Sequence, residues 1–543
     1  MSRVLVLGGY GGFGGRISRR LAEAGHCVLV AGRSPSRAKA FCKTGPSLVP
    51  IALDRKDIAE ALTQYGPDLV VDASGPFQKM DLTIPRACIV AGAHYCDIAD
   101  SRAFVEAVAG LDKAACEAGV VVISGASSVP ALSGAAIASL AHGMENVTAV
   151  EMAISASNQA AAGPAVAAAI LGQVGKPFML RRGGRAVTRY GWQEIEKLDF
   201  EVPGLQPLIG RRVALADVPD IALVSDRLPG RPAVAFRAGT ELGFQNWALW
   251  LLSWPIRWRW LPGLVGLRRW LLPLQRLTAQ LGSDRSAMSV RLFGMANGLR
   301  VERRWTLIAE RGDGPEIPTL AVPLLAARII GGKERTGARD AGQALTLADF
   351  EPAFKTLAIR HASKEHILPD PLYRRVIGER FDRLPPAVRR MHEVLRDGGA
   401  SGEAEVLGAT NALGKLVARI IRFPQPGRHK LHVAFTERDG EERWTRQFGA
   451  TSFTSSLSSK DGALVERFGA LRFAFDLPSD DRGLEMIMKG WAFGCVPLPL
   501  ALAPRSCARE WEDLGRFNFD VPIELPLIGR IVHYKGWLAP GLM

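Results

Sequence analysis

The sequence predicts an α/β protein: a doubly wound parallel sheet at the N-terminus, an α+β second domain, and a C-terminal, mainly antiparallel β domain. Three observations predict it. Short β-branched runs alternate with helix-period segments over residues 1–125. A glycine-rich loop follows the first of those runs directly. Strand–turn–strand signals recur through the final third of the chain.

The runs in the first region are residues 4–7, 27–31, 48–51, 69–72, 94–98 and 120–124, and the segments 14–24 and 82–91 carry apolar residues at helical spacing. Alternation of this kind implies a parallel sheet covered by helices on both faces. Residues 131–365 change character, with strand-like runs at 147–155, 233–237, 287–293 and 299–308 and an Ala-rich helical stretch at 161–174. Residues 331–342 are rich in glycine and charge, so they read as a loop, and a helix pattern at 347–357 follows. The third region, 371–543, opens with a helix at 387–395. It continues through strand pairs joined at Asp439-Gly440, Asp461-Gly462 and residues 480–483, the spacing of an antiparallel meander.

Composition narrows the function classes. The chain has 543 residues, 68 Lys plus Arg against 54 Asp plus Glu, and a net charge of +14. That field favours anionic cofactors, substrates or surfaces. No basic block interleaved with aromatics suggests nucleic acid. Seven cysteines form no CxxC pair and nine histidines no HExxH, so a cytoplasmic protein with reduced thiols and no metal is expected.

Gly9-Tyr10-Gly11-Gly12-Phe13-Gly14 is a GxGxxG, and Gly8, Gly11 and Gly14 satisfy GxxGxxG as well. The loop follows a predicted strand and opens a predicted helix. That is the setting in which glycines let backbone approach a pyrophosphate at a helix N-terminus, so Gly8, Gly9, Gly11, Gly12, Phe13 and Gly14 are expected to bind a dinucleotide. After the second strand, Gly32-Arg33-Ser34 and Arg37 stand where NAD enzymes carry an acid. Arg33, Ser34 and Arg37 therefore favour the 2′-phosphate of NADP(H). Asp54, ending the third strand, is read either as a partner of the adenine amino group or as a turn residue.

Further along, Asp68-Leu69-Val70-Val71-Asp72-Ala73-Ser74-Gly75-Pro76-Phe77, Gly92-Ala93-His94-Tyr95-Cys96-Asp97, residues 125–134, Asp217-Val218-Pro219-Asp220 and Phe236-Arg237-Ala238-Gly239 resemble the saccharopine dehydrogenase-like (saccharopine reductase-type) oxidoreductases. The resemblance spans roughly residues 1–360. It implies a Rossmann domain over 1–130 and an α+β substrate or dimerisation domain over 131–365, with a small-molecule substrate between them and Ser74, Gly75, Pro76 and Phe77 over the nicotinamide. Residues 381–392, 444–448, 494–499 and 534–538 resemble a domain of unknown function fused to such reductases.

For proton transfer the candidates are His94, Tyr95 and Asp97, with a structural role as the competing reading. Arg181, Arg182, Arg185 and Arg189 form a basic cluster that a polycarboxylate substrate would need and a solvated loop would equally explain. Residues 246–281 hold six of the twelve tryptophans together with five arginines. They read either as a peripheral contact with an anionic membrane or as a hairpin packed on the sheet or in a homodimer. The leading function is an NADP(H)-dependent oxidoreductase acting on a C=N, C=O or C=C group, the substrate becoming lipid-like if the membrane reading holds. The alternative is a non-catalytic NADP(H) sensor or lipid-binding scaffold.

Overall fold

A computed structural model describes residues 1–159, 163–267 and 278–540. Strands β1 (Arg3–Leu7), β2 (Cys27–Gly32), β3 (Leu48–Ala52), β4 (Leu69–Asp72), β5 (His94–Asp97) and β6 (Val121–Ser124) form a parallel sheet in the order 3-2-1-4-5-6. Val4, Val6, Val28, Val30, Val70 and Val71 are wholly buried. Helices cover both faces, which is why these strands read as continuous apolar runs. The order reverses between β1 and β4, so the loops after these strands diverge and leave a crevice.

A seventh strand, Gly337–Asp340, lies beside β6, with Gly337 opposite Val121 and Asp340 opposite Ser124. This corrects the loop expected at residues 331–342 and extends the first sheet beyond residues 1–130. An edge strand of four residues needs no apolar run. Backbone pairing holds it, and side chains fix its ends: Asp112 accepts from the Ala338 N–H at 2.8 Å and Asp340 from the Gly342 N–H at 2.8 Å. The helix Ala321–Ile330 packs on this sheet through Val322, Leu325, Ala326 and Ile329.

The second sheet has seven strands in the order Glu196–Phe200, Leu208–Leu215, Ala233–Thr240, Asn146–Ala156, Ser286–Ala296, Leu299–Ala309, Ile359–Ile367; only the Ala233–Thr240 and Asn146–Ala156 pair is parallel. The Ala-rich helix forms as Pro164–Gln173, while residues 161 and 162 of its expected span lie outside the described residues. One continuous apolar core runs through both sheets, from Val4 to Ile359.

The C-terminal region has a separate core. Its eleven strands run antiparallel, neighbour to neighbour, and the sheet closes where Leu471–Asp476 pairs with Gly483–Phe493. The expected meander is thus a closed barrel. The three expected turns join Gly427–Arg438 to Glu441–Phe448, Thr451–Lys460 to Ala463–Phe468, and Leu471–Asp476 to Gly483–Phe493; Asp439 and Asp461 have φ of 53° and 51° and are followed by Gly440 and Gly462 at 79° and 74°, as two-residue hairpin turns require.

Polar bonds join the barrel to the second sheet and to the turn of a separate hairpin, Pro177–Arg182 with Arg185–Tyr190. Arg396 grips Glu151 at 2.8 and 2.7 Å, Asp397 accepts from the Gly183 N–H at 2.7 Å, and Arg438 reaches Glu196 at 3.0 Å. Burial opposes ionisation of Glu151, but Arg396, Arg291 and Arg237 outweigh it and hold its pKa at about 2.

Candidate nucleotide-binding cleft

A cleft of about 1370 Å³ lies between the loops at the C-terminal ends of β1–β4 and the second sheet. Its floor is the glycine loop. The Gly11 N–H donates to the Gly8 carbonyl at 2.8 Å, closing a turn in which Gly8 has φ +72°. A Cβ on Gly8 would stand 2.9 Å from the Ala73 carbonyl, and one on Gly14 2.1 Å from that of Gly8. Gly9 lies beneath, where a Cβ would meet the Val6 carbonyl at 2.8 Å and Ser18 and Val30 at 3.1 Å. Gly12 differs: a Cβ there meets nothing within 4 Å, and the residue lines the cleft. These glycines therefore divide into packing positions (Gly8, Gly9, Gly14) and a position of open approach (Gly12).

Helix α1 (Gly12–Glu23) starts at this loop without a side-chain cap and with no acid in its first turn, so its free N–H groups and positive end meet the cleft unneutralised. A pyrophosphate fits there. Phe13, Arg33, Arg37, Asp54, Ser74, Gly75 and Pro76 also line the cleft.

Tyr10, not singled out in the sequence, organises the β2 side. Its hydroxyl accepts from the Ser34 N–H at 2.9 Å, and the Arg37 guanidinium stacks on its ring at 5.1 Å. A Cβ on Gly32 would sit 2.4 Å from that ring, which explains a glycine, rather than an acid, at the end of β2. Ser34 itself caps helix α2 (Pro35–Cys42), accepting from the Arg37 N–H, and does not line the cleft. Asp54 accepts from the Lys56 N–H at 3.2 Å as a turn residue at the cleft edge. Beneath the Ser74–Pro76 turn, the buried Asp72 accepts from the Ser74 N–H at 3.0 Å and its hydroxyl at 2.6 Å, while Arg55 pairs with Asp72 at 2.7 Å. Phe77 points away from the cleft into the core, with its ring 5.2 Å from that of Phe104.

The three expected proton-transfer residues line no part of this cleft. His94 stands at the start of β5, the end of the sheet opposite the cleft, and its Nδ1 accepts from the Val121 N–H at 3.0 Å; burial lowers its pKa. Tyr95 is wholly buried within the sheet, and burial pushes its phenol well above the ordinary range. Asp97 is wholly buried and ties β5 to the turn after β6, accepting from Ala99 N–H, Gly125 N–H and the Ser124 hydroxyl at 2.9, 2.8 and 3.0 Å. Burial raises its pKa to about 6 despite those bonds. The geometry makes all three structural, because the motif follows the strand into the core and not into the loop above it.

The opposite wall came into view only with the fold. Ile154, Val166, Met288 and Ile317 make it largely apolar, with Gln159, Asp284, Ser286 and Arg311 among its polar groups. Glu316 latches this wall to α1, pairing with Arg16 at 2.6 Å and Arg20 at 2.8 Å. The cluster Arg181–Arg189 is elsewhere. Arg182 and Arg189 pair with Glu194 at 2.8 and 2.9 Å, and Arg185 bonds Gln447 of the barrel. No His, Lys or Cys lines the cleft among the described residues, and no group of three His, Cys, Asp or Glu among them could hold a metal ion.

Residues 4–123 match the saccharopine dehydrogenase NADP binding domain, and residues 384–538 match a domain of unknown function, DUF4166. Among solved structures the chain is similar to apo saccharopine dehydrogenase (L-Glu forming) from Saccharomyces cerevisiae, at 14% identity over 67% of this chain and 100% of that one, with a TM-score of 0.45. It is also similar to amine dehydrogenase from Mycobacterium smegmatis, at 13% identity over 63% and 95% of the two chains, with a TM-score of 0.33. No curated protein matches the chain. Residues 4–123 thus form a saccharopine dehydrogenase-type NADP-binding domain, and residues 384–538 a DUF4166 domain.

Proposed function

We propose that the chain is an NADP(H)-dependent oxidoreductase acting on a predominantly apolar molecule that carries a C=N, C=O or C=C group. The observation that carries this reading is one cleft holding the open glycine approach at Gly12, the Tyr10–Arg37 stack beside Arg33, and an apolar facing wall. When bound, the dinucleotide supplies or accepts a hydride. The chain's own part is to hold the pyrophosphate on the α1 N-terminus, to take the 2′-phosphate between Arg33 and Arg37, and to exclude water with Ile154, Met288 and Ile317. A saccharopine-like polycarboxylate is disfavoured, since Arg181, Arg182, Arg185 and Arg189 all lie outside the cleft, with Arg182 and Arg189 sharing Glu194 and Arg185 engaged with the barrel.

The test is calorimetric titration with NADPH and NADH, followed by NADPH consumption against a panel of imines, enones and ketoacids. Tighter NADH binding would overturn the cofactor assignment. Tight NADPH binding without turnover on any of them would favour the second reading, a non-catalytic NADP(H)-binding scaffold. The specific observation behind that reading is the lack of a His, Lys or Cys among the described cleft residues.

The helix Gly243–Arg257 supports a peripheral membrane contact. Phe244, Leu251, Trp258 and Trp260 are more than half exposed in and just after it, and the rings of Trp247, Trp250, Trp254, Trp258 and Trp260 follow one another at 5.0–5.8 Å. Arg257 turns inward to Gln193 and Tyr190. Arg268, Arg269, Trp270 and Arg276 of the expected segment lie outside the described residues. Among the described residues no helix is long and apolar enough to span a bilayer. Flotation with anionic and zwitterionic vesicles tests the contact: failure to rise with anionic vesicles removes it.

A further inference from the structure

Small closed barrels either fill their interior with side chains or enclose a ligand. The C-terminal barrel encloses a space of about 840 Å³, separate from the nucleotide cleft and sharing no residue with it. Phe448, Phe453, Phe473, Phe517, Phe519 and Tyr534 dominate its lining. Well-packed cores leave few voids larger than a water molecule, and this volume falls within the ~300–1,000 Å³ span of small-molecule sites.

The charges inside the space, Arg446, Glu466 and Glu510, are already matched, while Arg422, which ends the helix Ala412–Ile421, is exposed at its rim. Arg446 donates to Ser455 at 2.8 Å and to Glu466 at 3.2 Å, and its guanidinium lies over the Trp444 and Phe453 rings at 5.2 and 5.6 Å. Glu510 is bonded to the fully buried His392 at 2.6 Å. A carboxylate ligand would face Glu466 and Glu510, and a cation would face Arg446. The hydroxyl of Tyr534 makes no hydrogen bond among the described residues, so a neutral oxygen can take it as a partner.

The helix Ala412–Ile421 borders the space. Val417 and Ile421 line it, and Ile420 lines it while being 72% exposed, which places an opening beside this residue. Leu413 and Leu416 extend the exposed apolar rim. We propose that the barrel is a second ligand site, taking one hydrocarbon-chain molecule with an uncharged oxygen head group through the opening beside Ala412–Ile421.

The probes are methyl cis-parinarate and cis-parinaric acid, added to the full chain without NADPH at pH 8. Expected is saturable, one-to-one fluorescence enhancement with micromolar or tighter Kd, and at least fivefold preference for the ester. Native mass spectrometry of the same mixture should show a single adduct. Ala508 and Met488 line the space, so Ala508→Phe and Met488→Trp should each weaken binding at least tenfold, with the melting temperature held or raised as the void fills. Absence of saturable binding by natively folded full chain overturns the proposal. So does a stoichiometry well above one, or unchanged affinity in a folded variant of either kind. Preference for the acid overturns the neutral head group.

Discussion

The cleft above β1 and the space inside the C-terminal barrel are both large enough for a ligand, but they are made of different things. The cleft is made of backbone: an uncapped helix start, a turn closed between Gly11 and Gly8, and loops leaving the ends of parallel strands. A few guanidinium groups, Arg33 and Arg37 among them, line it. The barrel space is made largely of side chains brought together from strands spread over residues 397–540, with its inner charges, Arg446, Glu466 and Glu510, paired in advance. A backbone-built site suits a polar, phosphate-bearing molecule because N–H groups and a helix dipole stabilise anions. A side-chain-built site of aromatic rings suits a molecule whose main requirement is removal from water.

The largest effect is expected where the two regions are joined. Replacing Glu151 by Gln strips Arg396 and Arg291 of their shared carboxylate, and breaking a buried pair in this way should cost about 3–5 kcal/mol in chemical denaturation. Its folded pKa of about 2 lies below the ordinary 4.5. The stability it contributes is therefore complete above pH 4.5 and is lost as pH falls toward 2, so the variant should show a flatter acid limb.

Next comes Glu442, 1% exposed in the barrel, which accepts from the Trp444 indole at 2.9 Å. Burial raises its pKa from 4.5 to about 7. The sign is opposite: stability is complete below pH 4.5 and declines as pH rises through 7. Glu442→Gln should be more stable than the parent at pH 8, by up to about 3 kcal/mol, and equal to it at pH 4. Thermal melts at the two pH values decide it; a variant no more stable at pH 8 would mean that the barrel interior does not resist charge.

Gly12→Leu and Gly14→Leu separate ligand space from packing. The first should lose NADPH affinity on the order of 100-fold, the scale of a displaced ligand, with an unchanged melting temperature. The second, with its Cβ against the Gly8 carbonyl, should lower the melting temperature. The smallest effect is that of Arg33→Ala or Arg37→Ala. Losing a charge-assisted bond of roughly 1.5–3 kcal/mol should weaken NADPH about 10- to 100-fold by calorimetry and leave NADH unchanged.

Much of the first region is legible in sequence because its determinants are local. Valines at 4, 6, 28, 30, 70 and 71 announce strands buried on both faces, and the glycines after β1 announce the turn. The Asp-Gly pairs at 439–440 and 461–462 announce hairpins for the same reason, since a two-residue turn is decided by its own φ angles. What misleads is direction within an element. Near its motif, His94 reads as a site residue, yet a strand has two ends, and His94 is at the one away from the cleft. The Gly337–Asp340 strand is illegible because its partner, β6, lies some 200 residues earlier and nothing in Gly-Ala-Arg-Asp is apolar enough to signal burial.

By itself, then, the sequence determined the dinucleotide loop, the arginines beside it, the strand alternation and the hairpin turns, all set within a few residues by backbone sterics and apolar spacing. Tertiary structure decided the rest. It brought Met288 and Ile317 across from the glycine loop, occupied the Arg181–Arg189 cluster with Glu194 and Gln447, buried Tyr95 and Asp97, and closed the barrel by pairing Leu471–Asp476 with Gly483–Phe493. Each of these depends on contacts between residues distant in the chain, where burial and desolvation, not local propensity, set the outcome.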